Sequence, residues 1–203
     1  MQCLHGGDFF IALSSLQKEI RRAKVDEALW WAFELAESGY VPAVATRLRV
    51  IGFEDIGVGD PVAVLFALQN IDHLERWYPS KGSWRLCLTN AVVALARASS
   101  KSRDGDLGQA MTRWRRATQP PPHVPPYALD KHTMAGKKAG KGVEDFVNEG
   151  TRLFPNDVST QAWKDVALEA FTFLDGEKRA AKEKAEEDAI LEKVKQRRLG
   201  AST

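Results

Sequence analysis

Three carboxylates and three glycines share the stretch VIGFEDIGVGDP, residues 50–61, where Glu54, Asp55 and Asp60 are interleaved with Gly52, Gly57 and Gly59. Paired carboxylates beside flexible backbone suit a divalent cation, an acid/base pair or a phosphate loop. They equally suit the end of one helix and the start of the next. The first group of readings needs partners that the chain does not supply. Glu34, Glu54 and Asp55 have no second pair at helical spacing that would complete a two-metal site. His5, His73, His123 and His132 share no metal-ligand spacing, and no serine sits in a GxSxG elbow. The stretch therefore reads as a helix–helix corner: Gly57 closes one helix, and Asp60 caps the next with Pro61 in its first turn. Glu54 and Asp55 then lie near a helix C-terminus, where the backbone dipole disfavours negative charge. Arg47 or Arg49 is the expected compensating cation.

A second candidate is MAGKKAGKGVED, residues 134–145. Glycine-freed backbone N–H groups with a lysine and a following helix can hold phosphate oxygens. A Walker loop needs Ser or Thr after its lysine, and Lys141 is followed by Gly142. What survives is an anion or nucleic-acid-backbone contact through Lys137, Lys138 and Lys141, or simply a flexible basic loop. Just upstream, Asp130, His132 and Thr133 lie close together, as a dyad or as helix caps. An enzyme acting on a phosphorylated substrate would need Asp130, His132 and these lysines to converge in one pocket. Charge is uneven here: residues 112–141 carry a net +6 and residues 142–175 a net −5. Such asymmetry marks a nucleic-acid face beside an acidic docking face, or two solvated surfaces. The candidate contact residues are Arg113, Arg115, Arg116, Lys131, His132, Lys137, Lys138 and Lys141. No catalytic residue, metal ligand or cofactor is expected.

The elements that must position these groups are helical. Apolar residues recur at helical spacing at Leu13, Leu16 and Ile20; at Ala28, Trp31, Ala32 and Leu35; and at Leu88, Ala91, Val92 and Leu95. The pattern returns at Leu107, Ala110, Met111 and Trp114, and at Trp163, Val166, Ala167, Ala170, Phe171 and Leu174. It predicts Trp31, Trp114 and Trp163 as core. No stretch alternates with period two, so the fold class is all-α, a multi-helix bundle. Helices are expected near 9–22, 26–38, 42–56, 61–77, 82–98, 105–118, 143–153 and 158–174. Residues 1–118 form the helical core. Residues 119–175 follow as a strap with five prolines in QPPPHVPPY, the basic loop and the closing helices. Residues 176–203 form a charged tail, an exposed helix or a partly disordered segment, in which 14 of the residues 177–198 are charged.

Composition bounds the rest. At 203 residues, 44% hydrophobic and 28% charged, the chain is an ordinary globular protein with room for one sizeable core. No apolar run approaches the ~20 residues of a membrane helix, and the N-terminus lacks a secretory signal. Two cysteines without CxxC spacing predict a reduced, cytoplasmic protein.

Residues 14–64 also resemble a known family. Ser14–Arg21, Val25–Trp31, Thr46–Leu48 and Phe53–Pro61 are similar to its S-A-x-x-K-S-[IV]-R, D-x-D-A-A-L-Y-W, R-R-L and S-E-D-I-G-x-A-D-P patterns. ARASSKSRDGD at 96–106 is similar to its alanine-rich helix ending in P-K-S-N. The resemblance, spanning residues 8–155, is to the C-terminal helical domain of the RarA/MgsA family, clamp-loader-type AAA+ ATPases of replication-fork maintenance. It implies a clamp-loader-collar bundle and a homo-oligomer, a tetramer by that likeness, with a AAA+ ATPase or replication protein, and DNA, as candidate partners. Glu54, Asp55, Gly57, Asp60 and Pro61 carry the family pattern. No Walker A or Walker B pattern occurs in the chain, so ATPase activity does not carry over. The reading is a non-catalytic oligomerisation and docking module for DNA replication or recombination; the alternative is a direct nucleic-acid-binding protein using residues 113–141. The chain is either a stand-alone version of the domain or the end of a longer ATPase.

Overall fold

Eight residues, Met1–Asp8, precede the first helix, and Asp8 ends them by capping it, accepting hydrogen bonds from the N–H groups of Phe10 (2.8 Å) and Ile11 (3.0 Å). The computed structural model describes the backbone of residues 1–200, with side chains through Ala189 and at Glu192. Among the described residues the fold is all-α, with no strand beyond one isolated bridge between Gln2 and Asp8. No described helix is long and apolar enough to cross a membrane. The chain divides into two compact units, Met1–Pro121 and a second beginning at Pro122.

In the first unit, α1 (Phe9–Arg21), α2 (Val25–Glu37) and α3 (Val41–Ile51) follow through tight turns, the second of them made by Gly39 at φ 86°. Helix α3 runs on as a π-helical turn, Gly52–Ile56, so the expected 42–56 helix is real but widens at its end. Gly57, at φ 47°, stops it, a backbone angle that glycine adopts at little cost. After a 3₁₀ turn, Gly57–Gly59, Asp60 caps α4 (Pro61–Trp77), accepting from Ala63 N–H at 3.0 Å with Pro61 in the first turn. Helix α5 (Trp84–Ala96) returns antiparallel to α4, and α6 (Asp104–Thr118) closes the unit. Leu16, Ile20, Leu35, Leu48, Ile51, Ile71, Leu74, Leu88 and Leu95 are fully buried, so the stripes on α1, α2 and α5 form the core as their spacing predicts. Trp31 is half-buried against it.

Two stripes do not do what their spacing predicts. Not one side chain of α6 is buried, and Trp114 is 58% exposed. Helix α6 meets the core through the opposite face, where Gly105 lies beside the Phe53 carbonyl, so Leu107, Met111 and Trp114 point away. Trp163 is likewise 75% exposed, with Val166, Phe171 and Leu174 exposed after it. Helical spacing builds an apolar face; a covering element must come from elsewhere.

The second unit holds short helices and one long one. Helix α7 (Met134–Lys138) replaces the open basic loop, started by Thr133, whose hydroxyl accepts from Gly136 N–H at 3.0 Å. It is followed by α8 (Val143–Asp145) with a π-helical turn to Gly150, then α9 (Gln161–Asp165) and α10 (Ala167–Gly200). The expected 158–174 helix thus starts later, breaks at Val166 and continues as helix through the charged tail. The ring of Phe146 organises this unit, edge-on to His132 at 4.7 Å and to Phe171 at 5.8 Å.

Candidate functional site

The carboxylates of VIGFEDIGVGDP do not gather around a cation-sized space. Asp55 is 2% exposed, and its two oxygens accept from Arg21 Nε (2.7 Å) and Gln17 Nε2 (2.9 Å). Glu54 accepts from Arg21 Nη2 at 3.2 Å and lies 3.9 Å from Arg103 Nη2, which also pairs with Asp106. The compensating cation is therefore Arg21, contributed by α1, and neither Arg47 nor Arg49. Arg47 acts at one remove, donating to Gln17 Oε1 at 2.9 Å, while Arg49 turns to Asp72 and Glu75 on α4. Asp60 completes the corner by accepting from Ser99 N–H and Ser99 Oγ–H, both at 2.8 Å. These bonds, with that from Ala63 N–H, hold its carboxyl below the usual carboxylate range. No group of three His, Cys, Asp or Glu among the described residues could hold a metal ion.

The predicted contact residues separate into two sets. Lys131 is committed to Asp175 (2.8 Å), Lys141 to Asp145 (2.6 Å) and His132 to Asp130 (3.0 Å). The imidazole and backbone N–H of His132 hold the Asp130 carboxyl below its ordinary value. A hollow of 240 Å³ is lined by Asp130 and Lys141 with Pro126, Tyr127, Leu129, Asp145 and Glu149, whereas His132, Lys137 and Lys138 lie outside it. Of the groups an Asp130–His132–lysine enzyme would need, only Asp130 and Lys141 share this hollow, and His132 reaches it through its bond to Asp130. Arg113, Arg115, Arg116, Lys137 and Lys138 form the second set: exposed, with no acidic partner among the described residues.

A further surface escaped the sequence reading. From Pro61 to Ile71 helix α4 carries no charged residue, yet Val62, Leu65 and Phe66 are exposed on its outer face. Leu86 of α5 is exposed too, and Asn70 and Asn90 join the two helices across this face (3.3 Å). Its signal was available as an apolar excess around a face already filled by Val64, Ala67, Ile71 and Leu74.

Comparison with known proteins covers the corner and both surfaces. The family described as MgsA AAA+ ATPase C terminal matches residues 23–194. Replication-associated recombination protein A of Bacillus subtilis is 29% identical over 150 residues, covering 68% of this chain and 32% of that protein. The Haemophilus influenzae protein of the same name is 30% identical over 145 residues, covering 68% and 31%. That of Escherichia coli K12 is 34% identical over 94 residues, covering 46% and 21%. The chain thus spans at most about a third of the length of these relatives, and the family match over residues 23–194 includes the capped corner and the helices it joins. A family match over residues 23–194 on an all-helical chain carries one conclusion: this protein belongs to the MgsA AAA+ ATPase C-terminal family.

Proposed function

We propose that this chain is a non-catalytic, self-associating docking domain that serves DNA replication or recombination, with four copies the assembly its family resemblance implies. The observation that carries this is the charge-free stretch Pro61 to Ile71 of α4, where Val62, Leu65 and Phe66 stand in water, with Leu86 of α5 exposed as well. Charge depletion with apolar and aromatic side chains is the composition of a buried interface centre. A face without charge has nothing to repel its own copy, and a two-fold pairing buries the same patch twice. A stable association of this kind buries at least ~1,200 Å² in all. The test is mass in solution by light scattering across concentration. The natural chain should form a defined oligomer, and Leu65→Asp with Phe66→Asp should give a monomer with unchanged helical circular dichroism, since both side chains are exposed. A natural chain that is monomeric at every concentration overturns the reading.

A second reading, direct contact with nucleic acid, is favoured by the cations that lack acidic partners. Three of them, Arg113, Arg115 and Arg116, stand within one turn of an exposed helix. Guanidinium forks that are not spent on carboxylates are free for phosphate oxygens.

A further inference from the structure

We infer that the C-terminal half of α6 selects single-stranded over duplex nucleic acid, with Trp114 as the platform for an unpaired base and Arg113, Arg115 and Arg116 on the phosphates beside it. The inference rests on the second reading above and adds strand selectivity to it.

The indole of Trp114 is what separates this helix end from a merely basic one. Trp30 and Trp31 pack edge to face at 4.6 Å, Trp77 has His73 at 5.0 Å and Lys81 at 5.6 Å, and Trp84 has Tyr78 at 5.3 Å and Arg85 at 4.5 Å. Trp114 has no ring or cation partner among the described residues and is more than half exposed. Trp163 is also bare, but Asp165 follows it and Lys164 is tied to Asp157 at 2.9 Å, so no free cation accompanies it. Among the described residues, only on α6 does a free indole coincide with free guanidinium groups. Met111 and Leu107 extend the apolar stripe one and two turns back, and the acids of α6, Asp104 and Asp106, lie in its first turn. Three arginines in four residues without a carboxylate between them favour a polyanion over a protein partner. A base stacks on an aromatic side chain only when the base's own face is not already covered by its neighbours, as it is in a duplex, so an indole platform favours unpaired strands. Because no α6 side chain is buried, substitutions here leave the core intact.

The experiment uses the full chain with a fluorescein-labelled oligothymidylate and a duplex of equal length, at several salt concentrations. The natural chain should bind the single strand more tightly, with quenching of tryptophan emission at saturation. Trp114→Leu should weaken single-strand binding roughly 5- to 100-fold, leave duplex binding unchanged and abolish most of the quenching. Replacing Arg113, Arg115 and Arg116 by Gln should weaken both and flatten the single-strand salt slope by about 2. If binding persists but Trp114→Leu changes neither affinity nor quenching, the inference fails while the nucleic-acid reading stands. If the natural chain binds neither strand form, that reading fails. A Trp114→Leu variant that loses mass in solution and keeps its single-strand affinity assigns the stripe to a protein contact and overturns the inference.

Discussion

Removing Arg21 isolates the energetics of the corner. Asp55 is 2% exposed and Arg21 Nε lies 2.7 Å from its carboxylate, so Arg21→Met leaves a buried charge short of its cation. Breaking a fully buried pair from one side costs about 3–5 kcal/mol, whereas exposed pairs are worth about 0–1. The Arg21 side chain is 33% exposed, so water reaches that side of the pair, and Gln17 keeps its bond to the other oxygen. The loss should fall between the limits, about 2–3 kcal/mol, read as a lower urea midpoint at unchanged slope and a melting temperature lower by roughly 10 °C. In an Asp55→Asn background no charge is left stranded, so the same Arg21→Met step should cost at least about 1.5 kcal/mol less. Arg49→Met is the comparison: its partners Asp72 and Glu75 are exposed, and it should cost under about 1 kcal/mol. An Arg21→Met variant within about 0.5 kcal/mol of the natural chain, or one equally costly beside Asn at position 55, refutes the reasoning.

Two further tests address the same corner. Asp60 is held below its ordinary carboxyl value by N–H donors from Ala63 and Ser99, the Ser99 hydroxyl and the charge of Lys101. A depressed folded value means that its contribution is complete above the unfolded value near 3.9 and is lost as pH falls through the lower folded one. Asp60→Asn, which offers an N–H₂ where Ser99 needs an acceptor, should be less stable than the natural chain at neutral pH, with the gap closing below about pH 4 in acid titrations of helicity; a gap that is constant with pH contradicts this. A Cβ on Gly59 would stand 2.9 Å from the Lys101 carbonyl carbon, so Gly59→Ala should cost about 1–3 kcal/mol. Gly108→Ala in α6 meets nothing within 4 Å and should stabilise by about 0.5–1 kcal/mol; equal effects at the two sites would show that the contact is not rigid.

The helices of the first unit were legible because each buries a stripe that repeats every three to four residues, and because Pro42, Gly57, Asp60 and Pro61 mark their ends in a local code. What was not legible has a common cause, dependence on something distant in sequence. Arg47 and Arg49 were the near cations on the same helix; Arg21 lies 34 residues before Asp55 and reaches it only because α1 and the π-helical turn pack together. The apolar spacing of Leu107, Met111 and Trp114 is as regular as that of Leu88, Ala91, Val92 and Leu95, yet one stripe is bare and the other buried. Periodicity says that a face exists and is silent on its cover. The basic segment is a different case: its net charge of +6 counts Lys131 and Lys141, which pair with Asp175 and Asp145 in the folded unit.

The corner acquires a role from this difference. Helix α6 buries no side chain of its own, so packing does not set its direction; its attachment to the corner does. Ser99 bonds to Asp60, Ser102 N–H donates to the Ile56 carbonyl at 3.2 Å, and the backbone of Lys101 lies against Gly59. Arg103 then joins Glu54 to Asp106 at the foot of the helix. These contacts run from the segment before α6 to the turn between α3 and α4, and the turn is in turn held to α1 by Arg21 and Gln17. The carboxylates of VIGFEDIGVGDP are thus spent on contacts within the fold. They fix the first turn of α6 to the core, and with it the heading on which Trp114 and its arginines are carried into solvent.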